Sequence, residues 1–343
     1  MKPTDSKRVV TMRDISEVTG YSINTVSRAL RNKSDISSET KAYIRKTTRS
    51  LGYINNTVAA SLRLGHTKTV AMLVDDVSNA YHAMNIKIVE EYFAKHGYFL
   101  YIICTRDDEE IELQAIERAY SQRVAGILLS PAQHSHEPIE LLRRFGTPFV
   151  LIGRCHDEAD YAMWDDEKGG YLATKHLLTL GHRDILMLNT SSTVSNRFGR
   201  LEGYLKALRE FGVPAREELI RSIRMIGNGS EQVADEMVSG SLSCTAVFAF
   251  SDLMGFNLWT NLRRRGKRVP EDYSIVGFDG ICRRANLPFS MSSITCREDQ
   301  PEAAYVAAER LFSKIGAEPT PLDPMRSVAD VEFWDGGTTA PLR

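Results

Sequence analysis

Residues 11–30 of this 343-residue chain read TMRDISEVTGYSINTVSRAL, and this stretch decides how the amino-terminal part folds. Met12, Ile15 and Val18 recur at helical spacing, so a helix is expected here with these three side chains facing inward. Gly20 then supplies a turn, because glycine adopts backbone conformations that other residues avoid. The pattern predicts a short helix, a tight turn and a second helix.

The second helix is expected to begin after Ser22, whose hydroxyl can accept a free backbone N–H. Val26, Ala29 and Leu30 would face inward, and the opposite side is polar. A third helix is expected to start near residue 37 or 38. Three short helices around a small core form a unit whose second helix can enter the major groove of DNA.

Charge divides the chain at the end of this unit. Residues 1–68 carry 13 Lys and Arg against 5 Asp and Glu, a net charge of +8, and the remainder carries 30 against 39, a net of −9. Such a division is expected when one end of a chain meets phosphate and the other does not. A solvated surface with incidental lysines is the alternative, but turn chemistry, periodicity and charge all favour DNA binding.

From residue 69 onward, apolar runs alternate with helical patterns. Strands separated by helices predict parallel sheets with helices on both faces. About 275 residues are too many for one small sheet, so two similar α/β subdomains are expected. The expected strands are Val70–Val74, Tyr98–Cys104, Gly126–Ser130, Phe149–Ile152, Ile185–Leu188, Ala246–Phe250 and Ser274–Phe278.

The pattern T-M-R-D-I-S-x-x-T-G-Y-S-x-x-T-V-S-R-A-L, followed by V-A-A-S-L-R at 58–63, resembles the LacI/GalR family of bacterial transcriptional regulators. The likeness runs through nearly the whole chain and is most specific in the head. It implies a homodimer that binds a palindromic operator and a core in which a small molecule changes DNA affinity. It also implies a periplasmic-binding-protein type I core.

The resemblance sets the expected domain boundaries. A helix-turn-helix head would occupy residues 1–66, with its three helices in 9–53 and a hinge helix in 56–64. The effector-binding and dimerisation core would occupy 67–343, as two doubly wound parallel-sheet subdomains joined by three crossovers. These would be 69–163 plus 297–323, and 164–296 plus 324–343.

By position, Ile23, Asn24 and Arg28 match the family's base-reading residues. Arg28 could hold guanine O6 and N7, Asn24 an adenine edge and Ile23 a thymine methyl group. Two alternatives stay open: Arg28 as a phosphate contact only, and Ile23 as a partly buried packing residue. Three further residues are expected to hold phosphate, namely Ser22, Thr25 and Ser27. The remaining expected DNA contacts in the head are Thr11 and Asn32.

The segment 58–64 is too short to form a stable helix alone in water. The resemblance implies that it becomes helical on operator DNA, paired with its twin in the dimer. Leu62 matches the leucine that the family wedges into a minor-groove step, which kinks the duplex. Val58, Ala59 and Arg63 are expected contacts beside it. A flexible linker with chance hydrophobic residues is the alternative.

A ligand is expected in the cleft where the carboxyl ends of the strands face each other. Asp279, Asp252 and Arg200 match the family's pocket positions, and carboxylates with a bidentate arginine suit a polyol. Trp164 is a candidate stacking platform for a sugar face. Asp252 as a helix N-cap and Trp164 as a core residue are the alternatives. The remaining expected effector contacts are Asp76, Ser78, Tyr81 and Ser251.

The resemblance therefore implies a repressor of carbohydrate-utilisation genes, controlled by a sugar or sugar derivative. A cytoplasmic solute-binding module without specific DNA recognition is the alternative. The sequence does not decide between an inducer and a corepressor, or between a dimer and a tetramer.

Other classes of protein have little support. The chain has no Walker A loop, no G-x-S-x-G elbow and no H-E-x-x-H helix, so no enzyme is expected. Five scattered cysteines without a CxxC pair give no reason to expect a metal site, and no cofactor is expected. Without an 18-residue apolar run or a signal-peptide core, we expect a soluble cytoplasmic protein that does not bind membranes.

Overall fold

The computed structural model describes residues 10–53, 65–225, 227–285, 287, 289–316 and 324–342. The chain divides into two compact units, Met1–Gly65 and His66–Arg343, one residue from the expected boundary. The expected hinge helix, 56–64, with Val58, Ala59, Leu62 and Arg63, lies outside the described residues.

The first unit, called the head below, contains α1 (Met12–Thr19), α2 (Ile23–Leu30) and α3 (Ser38–Ser50). Gly20 ends α1 with φ of 74°, and its N–H donates to the Ser16 carbonyl. Ile15, Val26, Ala29 and Ile44 are the fully buried side chains that hold these helices together.

One inward residue was predicted wrongly in α1. Val18 is 56% exposed, whereas Ile15 is fully buried. Three residues turn a helix by about 300°, so Val18 points about 60° away from Ile15 around the helix axis. The small hydrophobic core covers the side of α1 that carries Ile15 but not the side that carries Val18.

The second unit, called the core below, alternates strands and helices. In chain order its elements are β1 (Thr69–Val74), α4 (Ala80–Lys95), β2 (Phe99–Cys104), α5 (Glu109–Ser121), β3 (Gly126–Leu129), α6 (Glu137–Phe145), β4 (Phe149–Ile152), β5 (Tyr161–Trp164), α7 (Asp166–Thr179), β6 (Ile185–Thr190), α8 (Ser195–Glu210), β7 (Ile220–Ile223), α9 (Gly229–Ser239), β8 (Ala246–Ala249), α10 (Asp252–Arg264), β9 (Ser274–Phe278), α11 (Ile281–Ala285), β10 (Ser293–Cys296), α12 (Ala303–Lys314), β11 (Arg326–Ala329) and β12 (Val331–Trp334).

These strands form two six-stranded sheets, which confirms the expected architecture. The orders are β11-β5-β4-β3-β1-β2 and β12-β10-β9-β8-β6-β7. Pairing is parallel throughout, except that β12 runs antiparallel to β10. Residues 70–74 of β1 are all fully buried, as expected for a central strand covered on both faces.

The last crossover between the subdomains lies later than expected. Residues 324–343 were assigned to the second subdomain, but β11 pairs with β5 in the first sheet, with Val328 opposite Met163. The chain enters the second sheet only at β12, where Val331 pairs with Cys296. The boundary at 323/324 is therefore corrected to Asp330, because the edge of the first sheet accepts one further strand.

Glycines let α7 and α8 approach closely in the second subdomain. A Cβ on Gly203 would lie 2.0 Å from the Glu167 carbonyl oxygen, and one on Gly170 would lie 2.2 Å from that of Arg200. The two backbones therefore touch, and this contact fixes Arg200, on α8, against the start of α7.

Candidate functional site

The N-cap of α2 determines where the helix begins and therefore which residues face solvent. Ser22 Oγ accepts from the Thr25 N–H at 3.1 Å and contacts Thr25 Oγ1 at 2.9 Å. The helix thus begins at Ile23, and both Ile23, which is 49% exposed, and Asn24 are solvent-facing. The packing alternative for Ile23 is not favoured, because so much of the side chain stays outside the small core.

Arg28 is held by a partner within the head. Its Nε donates to Asp35 Oδ2 at 2.8 Å, and Nη2 lies 2.5 Å from the same oxygen. The hydrogen bond from Arg28 lowers the pKa of Asp35. Both side chains are partly exposed, so the guanidinium is positioned by the loop between α2 and α3 and remains open to solvent.

Two further expected DNA contacts also have structural roles. Thr11 caps α1 in a reciprocal pair with Asp14, whose carboxylate accepts from the Thr11 N–H at 2.7 Å. Asn32 adopts a positive φ of 58° and accepts from Arg45 Nη2 at 3.1 Å. Ser27 is half-buried, and its carbonyl accepts from Arg31.

In the core, a cavity of about 830 Å³ opens where the carboxyl ends of the two sheets face each other. Its walls come from both subdomains and are rich in charged and polar groups. They include Asp75, Asp76, Asn79, Cys104, Arg106, Asp107, His134, Arg154, Thr190, Ser191, Ser192, Val194, Arg224, Met225, Phe250 and Leu253. A volume of this size suits a small-molecule ligand.

A smaller cavity of about 40 Å³ shares several of these walls and is lined by half of the expected effector residues. Tyr81, Arg200, Ser251 and Asp279 line it, while Asp76 lines the large cavity. Five of the eight expected residues therefore come together around one cleft.

Arg200 is fixed from several sides. Its Nε donates to Asp166 Oδ1 at 2.8 Å, and Nη1 donates to the Phe250 carbonyl. The guanidinium carbon lies 3.5 Å from the ring centroid of Phe278 and 4.3 Å from that of Phe250. Burial raises the pKa of Asp166, although the charge of Arg200 opposes the shift. Arg200 is thus a rigid wall group with two of its five N–H donors engaged within the protein.

Asp279 directly follows β9 and has an unusual backbone conformation. Its φ is 115°, and its N–H donates to the Ile294 carbonyl at 2.9 Å. Burial raises the pKa of Asp279 to about 7, against the lowering effect of Arg200, His82 and Arg284. A non-glycine residue held at positive φ is strained, and such strain is often kept where a side chain must face a ligand.

The other three expected residues do not line either cavity. Asp252 accepts from the Ile281 N–H at 2.7 Å and from Ser293 Oγ at 2.6 Å, while Ser251 caps α10 by accepting from the Met254 N–H. The carboxylate of Asp252 therefore ties α10 to β10. Ser78 is exposed, and its N–H donates to Asp76 Oδ1 at 2.8 Å.

Trp164 takes the alternative role of a core residue. It is buried at the end of β5, with its ring centroid 6.0 Å from those of Tyr81 and Phe278. Since it packs behind Tyr81, which faces the small cavity, Trp164 supports the wall and does not form it.

Several residues that line the large cavity were not predicted from the sequence, three arginines among them. Arg154 is the most buried of the three. Its guanidinium lies 4.0 Å from both Asp75 Oδ2 and Asp107 Oδ1. Burial opposes ionisation of Asp75, but the hydrogen bond from His82 and the charge of Arg154 outweigh it, so the pKa of Asp75 is well below its usual range. Arg154 follows β4 by two residues, so the strand-end rule could have found it.

Hydrogen bonds cross between the two subdomains beside the large cavity. Gln133 Oε1 accepts from the Ser195 N–H at 2.7 Å, and the Gln133 carbonyl accepts from Thr193 Oγ1 at 3.1 Å. Ser195 Oγ accepts from the Cys155 N–H at 3.2 Å. These contacts, called the bridge below, hold the two walls together on one side of the cleft.

Two family models match this chain. That of the bacterial regulatory proteins, lacI family, matches residues 11–56, and that of the periplasmic binding proteins and sugar binding domain of LacI family matches residues 67–322. The chain belongs to the LacI family. This confirms the resemblance seen in the sequence.

Individual relatives agree with this assignment. The HTH-type transcriptional repressor PurR of Actinobacillus pleuropneumoniae serotype 3 (strain JL03) is 28% identical over 324 residues, 92% of this chain and 94% of that protein. A transcriptional regulator CelR–cellobiose complex has a TM-score of 0.68 and 26% identity, covering 96% of this chain and 99% of that one. The lac repressor dimer bound to operator shares the fold, with a TM-score of 0.80 at 20% identity over 97% of this chain and 100% of that one.

As a LacI-family member, the protein is a DNA-binding transcriptional repressor with an effector-binding core. Its curated relatives include proteins named as HTH-type transcriptional repressors and an HTH-type transcriptional regulator. In the part of the chain that the structure describes, no helix has the length and apolar character needed to cross a bilayer.

Proposed function

We propose that this LacI-family repressor binds a palindromic operator as a homodimer and controls carbohydrate-utilisation genes in response to a sugar-like effector. The observation that carries the proposal is a cleft of about 830 Å³ between two parallel sheets in a chain that also has a helix-turn-helix head. Ligand binding shifts the population of core arrangements, and the sign of control depends on which arrangement binds the ligand better.

The head supplies the base contacts in this proposal. Ile23, Asn24 and Arg28 read base edges from the outer side of α2, and their exposure supports this role. Ser22, Thr25 and Ser27 hold phosphate, with Thr11 and Asn32 beside them. The hinge contacts proposed with them, by resemblance alone, are Val58, Ala59, Leu62 and Arg63.

An exposed edge strand supports the homodimer. Phe99 on β2 is 76% exposed, and Tyr101 and Ile102 on the same strand are exposed too. An uncovered apolar edge invites pairing or aggregation. A second copy related by a twofold axis would cover this strand and present two heads to two half-sites.

The cleft supports a polyhydroxylated ligand. Asp76, Asn79, Thr190 and Ser191 offer hydroxyl-binding groups on its walls, and Arg200 and Asp279 lie in the adjoining small cavity. Each of these side chains can pair with sugar hydroxyls. We further propose that the protein acts in the cytoplasm as a regulator and has no catalytic role.

A mobility-shift assay with promoter fragments from the protein's own genome, repeated across salt concentrations, tests the proposal. We expect specific retardation of a palindromic fragment, because specific binding exceeds the salt-dependent phosphate term. Arg28→Ala should relax base preference at one position of each half-site by about 1–3 kcal/mol. Arg13→Ala is the control, since Arg13 is an exposed arginine on α1 that lies 3.6 Å from Glu17.

Each outcome has a distinct meaning. An equal loss by Arg28→Ala on every DNA sequence would make Arg28 a phosphate contact only. Failure of the wild-type protein to prefer any fragment would favour the solute-binding alternative.

A further inference from the structure

The charged side chains that line the large cavity differ in how many of them are paired with other groups of the protein. Three arginines and three aspartates line it. Asp75 is paired with His82, Asp76 accepts from the Ser78 N–H, and Asp107 Oδ2 accepts from Ser192 Oγ. Each of the three aspartates thus has at least one carboxylate oxygen engaged by a group of the protein.

The three arginines differ in whether they have acidic partners. Arg154 is buried and is shared between Asp75 and Asp107 at 4.0 Å from each. Arg106 and Arg224 are exposed on the cavity walls. Within the described ranges, neither of these two makes a salt bridge or a side-chain hydrogen bond. Two unneutralised guanidinium groups therefore remain at the cleft.

Their positions in the fold place them on opposite walls. Arg106 follows β2 by two residues, and Arg224 directly follows β7. These strands are the outer strands of the first and second sheets, respectively. The Arg106 backbone is fixed, because its N–H donates to the Asp75 carbonyl at 2.9 Å and its φ is 59°. Each subdomain thus contributes one free cation to the same cavity.

One acceptor on the same wall is also unused. Asp107 Oδ1 is buried, and among the described residues no group donates a hydrogen bond to it. A buried carboxylate oxygen without a donor is costly, and a hydroxyl donor would satisfy it. Cations without counter-ions and an acceptor without a donor together call for a ligand with both an anionic group and hydroxyl groups.

We propose that the effector is a sugar or polyol that carries an oxyanion, a carboxylate or a phosphate, bound between Arg106 and Arg224. This inference rests on the proposed function, since it assumes that the cleft is the effector site. Guanidinium groups hold carboxylate and phosphate through paired, charge-assisted hydrogen bonds. The hydroxyl groups lie against Asp107, Asp76 and Asn79. Because the two arginines belong to different subdomains, the anion ties the two walls together.

Calorimetry and thermal-shift measurements on the full-length protein test this with matched compounds. The probes are D-glucose, D-glucuronate and D-glucose 6-phosphate, and D-ribose, D-ribonate and D-ribose 5-phosphate. At least one anionic member should bind more than about tenfold more tightly than its neutral partner, and added salt should weaken it. The carboxylate and phosphate members distinguish the two sources of the oxyanion.

Variants identify the arginines responsible. R106Q and R224Q should each weaken binding of the anionic compound by about tenfold or more. Each variant should therefore bind the anionic compound only slightly more tightly than the neutral sugar. R263Q is the control, because Arg263 is an exposed arginine on α10 outside the cavity walls. It should bind the anionic compound as the wild type does.

The inference is overturned if neutral sugars bind as tightly as their acids and phosphates, if R106Q and R224Q bind the anion normally, or if no compound of the panel binds. Specific operator retardation, measured on the same preparation, separates this result from failure of the proposed function. A protein that retards its operator but ignores anions remains a repressor with a different effector.

Discussion

Replacing Ile44 by alanine is expected to unfold the head while the core stays folded. Ile44 is fully buried together with Ile15, Val26 and Ala29, and these four make the centre of the head. The core is a separate compact unit with its own buried clusters. A loss at Ile44 therefore falls on the head alone.

The magnitude follows from burial and size. The change deletes three carbon atoms, which costs about 2.4 kcal/mol in transfer free energy at about 0.8 kcal/mol per methylene. The cavity left behind adds to this, so the total is about 2–5 kcal/mol. At about 0.05–0.15 kcal/mol per residue, a unit of roughly 45 residues is stable by about 2–7 kcal/mol. The loss is comparable to the whole stability of the head.

Calorimetry of the full-length protein, together with operator retardation, measures the effect. In a small domain about 1 kcal/mol shifts the melting temperature by about 4–8 °C, so the head transition should fall by at least about 10 °C. Operator binding should be lost, and the core transition should stay in place. Ile23→Ala is the matched control, because Ile23 is 49% exposed on α2 and its loss should weaken base preference without lowering the transition. A head transition lowered by less than about 5 °C in Ile44→Ala, with operator binding kept, would refute this account of the head's stability.

Two further predictions concern the core. Gly203→Ala should destabilise it by about 1–3 kcal/mol or more, since the new Cβ would lie 2.0 Å from the Glu167 carbonyl oxygen and 2.5 Å from the Tyr171 nitrogen; an unchanged urea midpoint would show that α7 and α8 can separate at little cost. Burial raises the pKa of Glu112 from 4.5 to about 7, so the folded state binds the extra proton and the free energy of unfolding should fall as pH rises from about 4.5 through 7, by up to about 3 kcal/mol. Glu112→Gln should remove that part of the pH dependence in urea titrations at pH 5 and 8, and an identical slope in both proteins would assign the dependence to other groups.

Periodicity alone predicted the strands that are long or fully apolar. The seven expected strands correspond to β1, β2, β3, β4, β6, β8 and β9. The others, β5, β7, β10, β11 and β12, are four residues each, and several mix charged with apolar side chains. A short edge strand such as β11 is defined by pairing with β5, more than 160 residues earlier, so its own sequence carries little signal.

The location of the cleft was predictable, but the direction of individual side chains was not. Asp252 and Asp279 both follow core strands, and both matched family pocket positions. Asp279 lines the small cavity, while Asp252 turns to Ile281 and Ser293, which are 29 and 41 residues away along the chain. Which acceptor finds an internal donor depends on tertiary contacts that a single sequence does not show.

The missed arginines show where the same rule was applied too narrowly. Arg106 follows β2, a strand that the sequence did predict, and could have been named as a cleft residue. Arg224 follows β7, which is too short and too polar to be predicted, so the rule could not reach it. The family match drew attention to Arg200, two of whose five N–H donors are engaged by Asp166 and Phe250.

The strength of the bridge between the subdomains indicates how much free energy a ligand must supply to shift the cleft between its arrangements. Its three hydrogen bonds join Gln133 and Cys155 of one wall to Thr193 and Ser195 of the other. At about 0.5–1.5 kcal/mol net for each bond, the bridge contributes about 1.5–4.5 kcal/mol to the joined arrangement. Allosteric coupling free energies are typically about 1–3 kcal/mol, so a ligand need add only one or two good contacts across the gap to shift the population. An oxyanion between Arg106 and Arg224 would supply such contacts, because it binds both arginines at once when the walls are joined and only one of them when the walls are apart. The ligand would then favour the joined arrangement, and whether it induces or corepresses would depend on which arrangement holds the two heads at operator spacing.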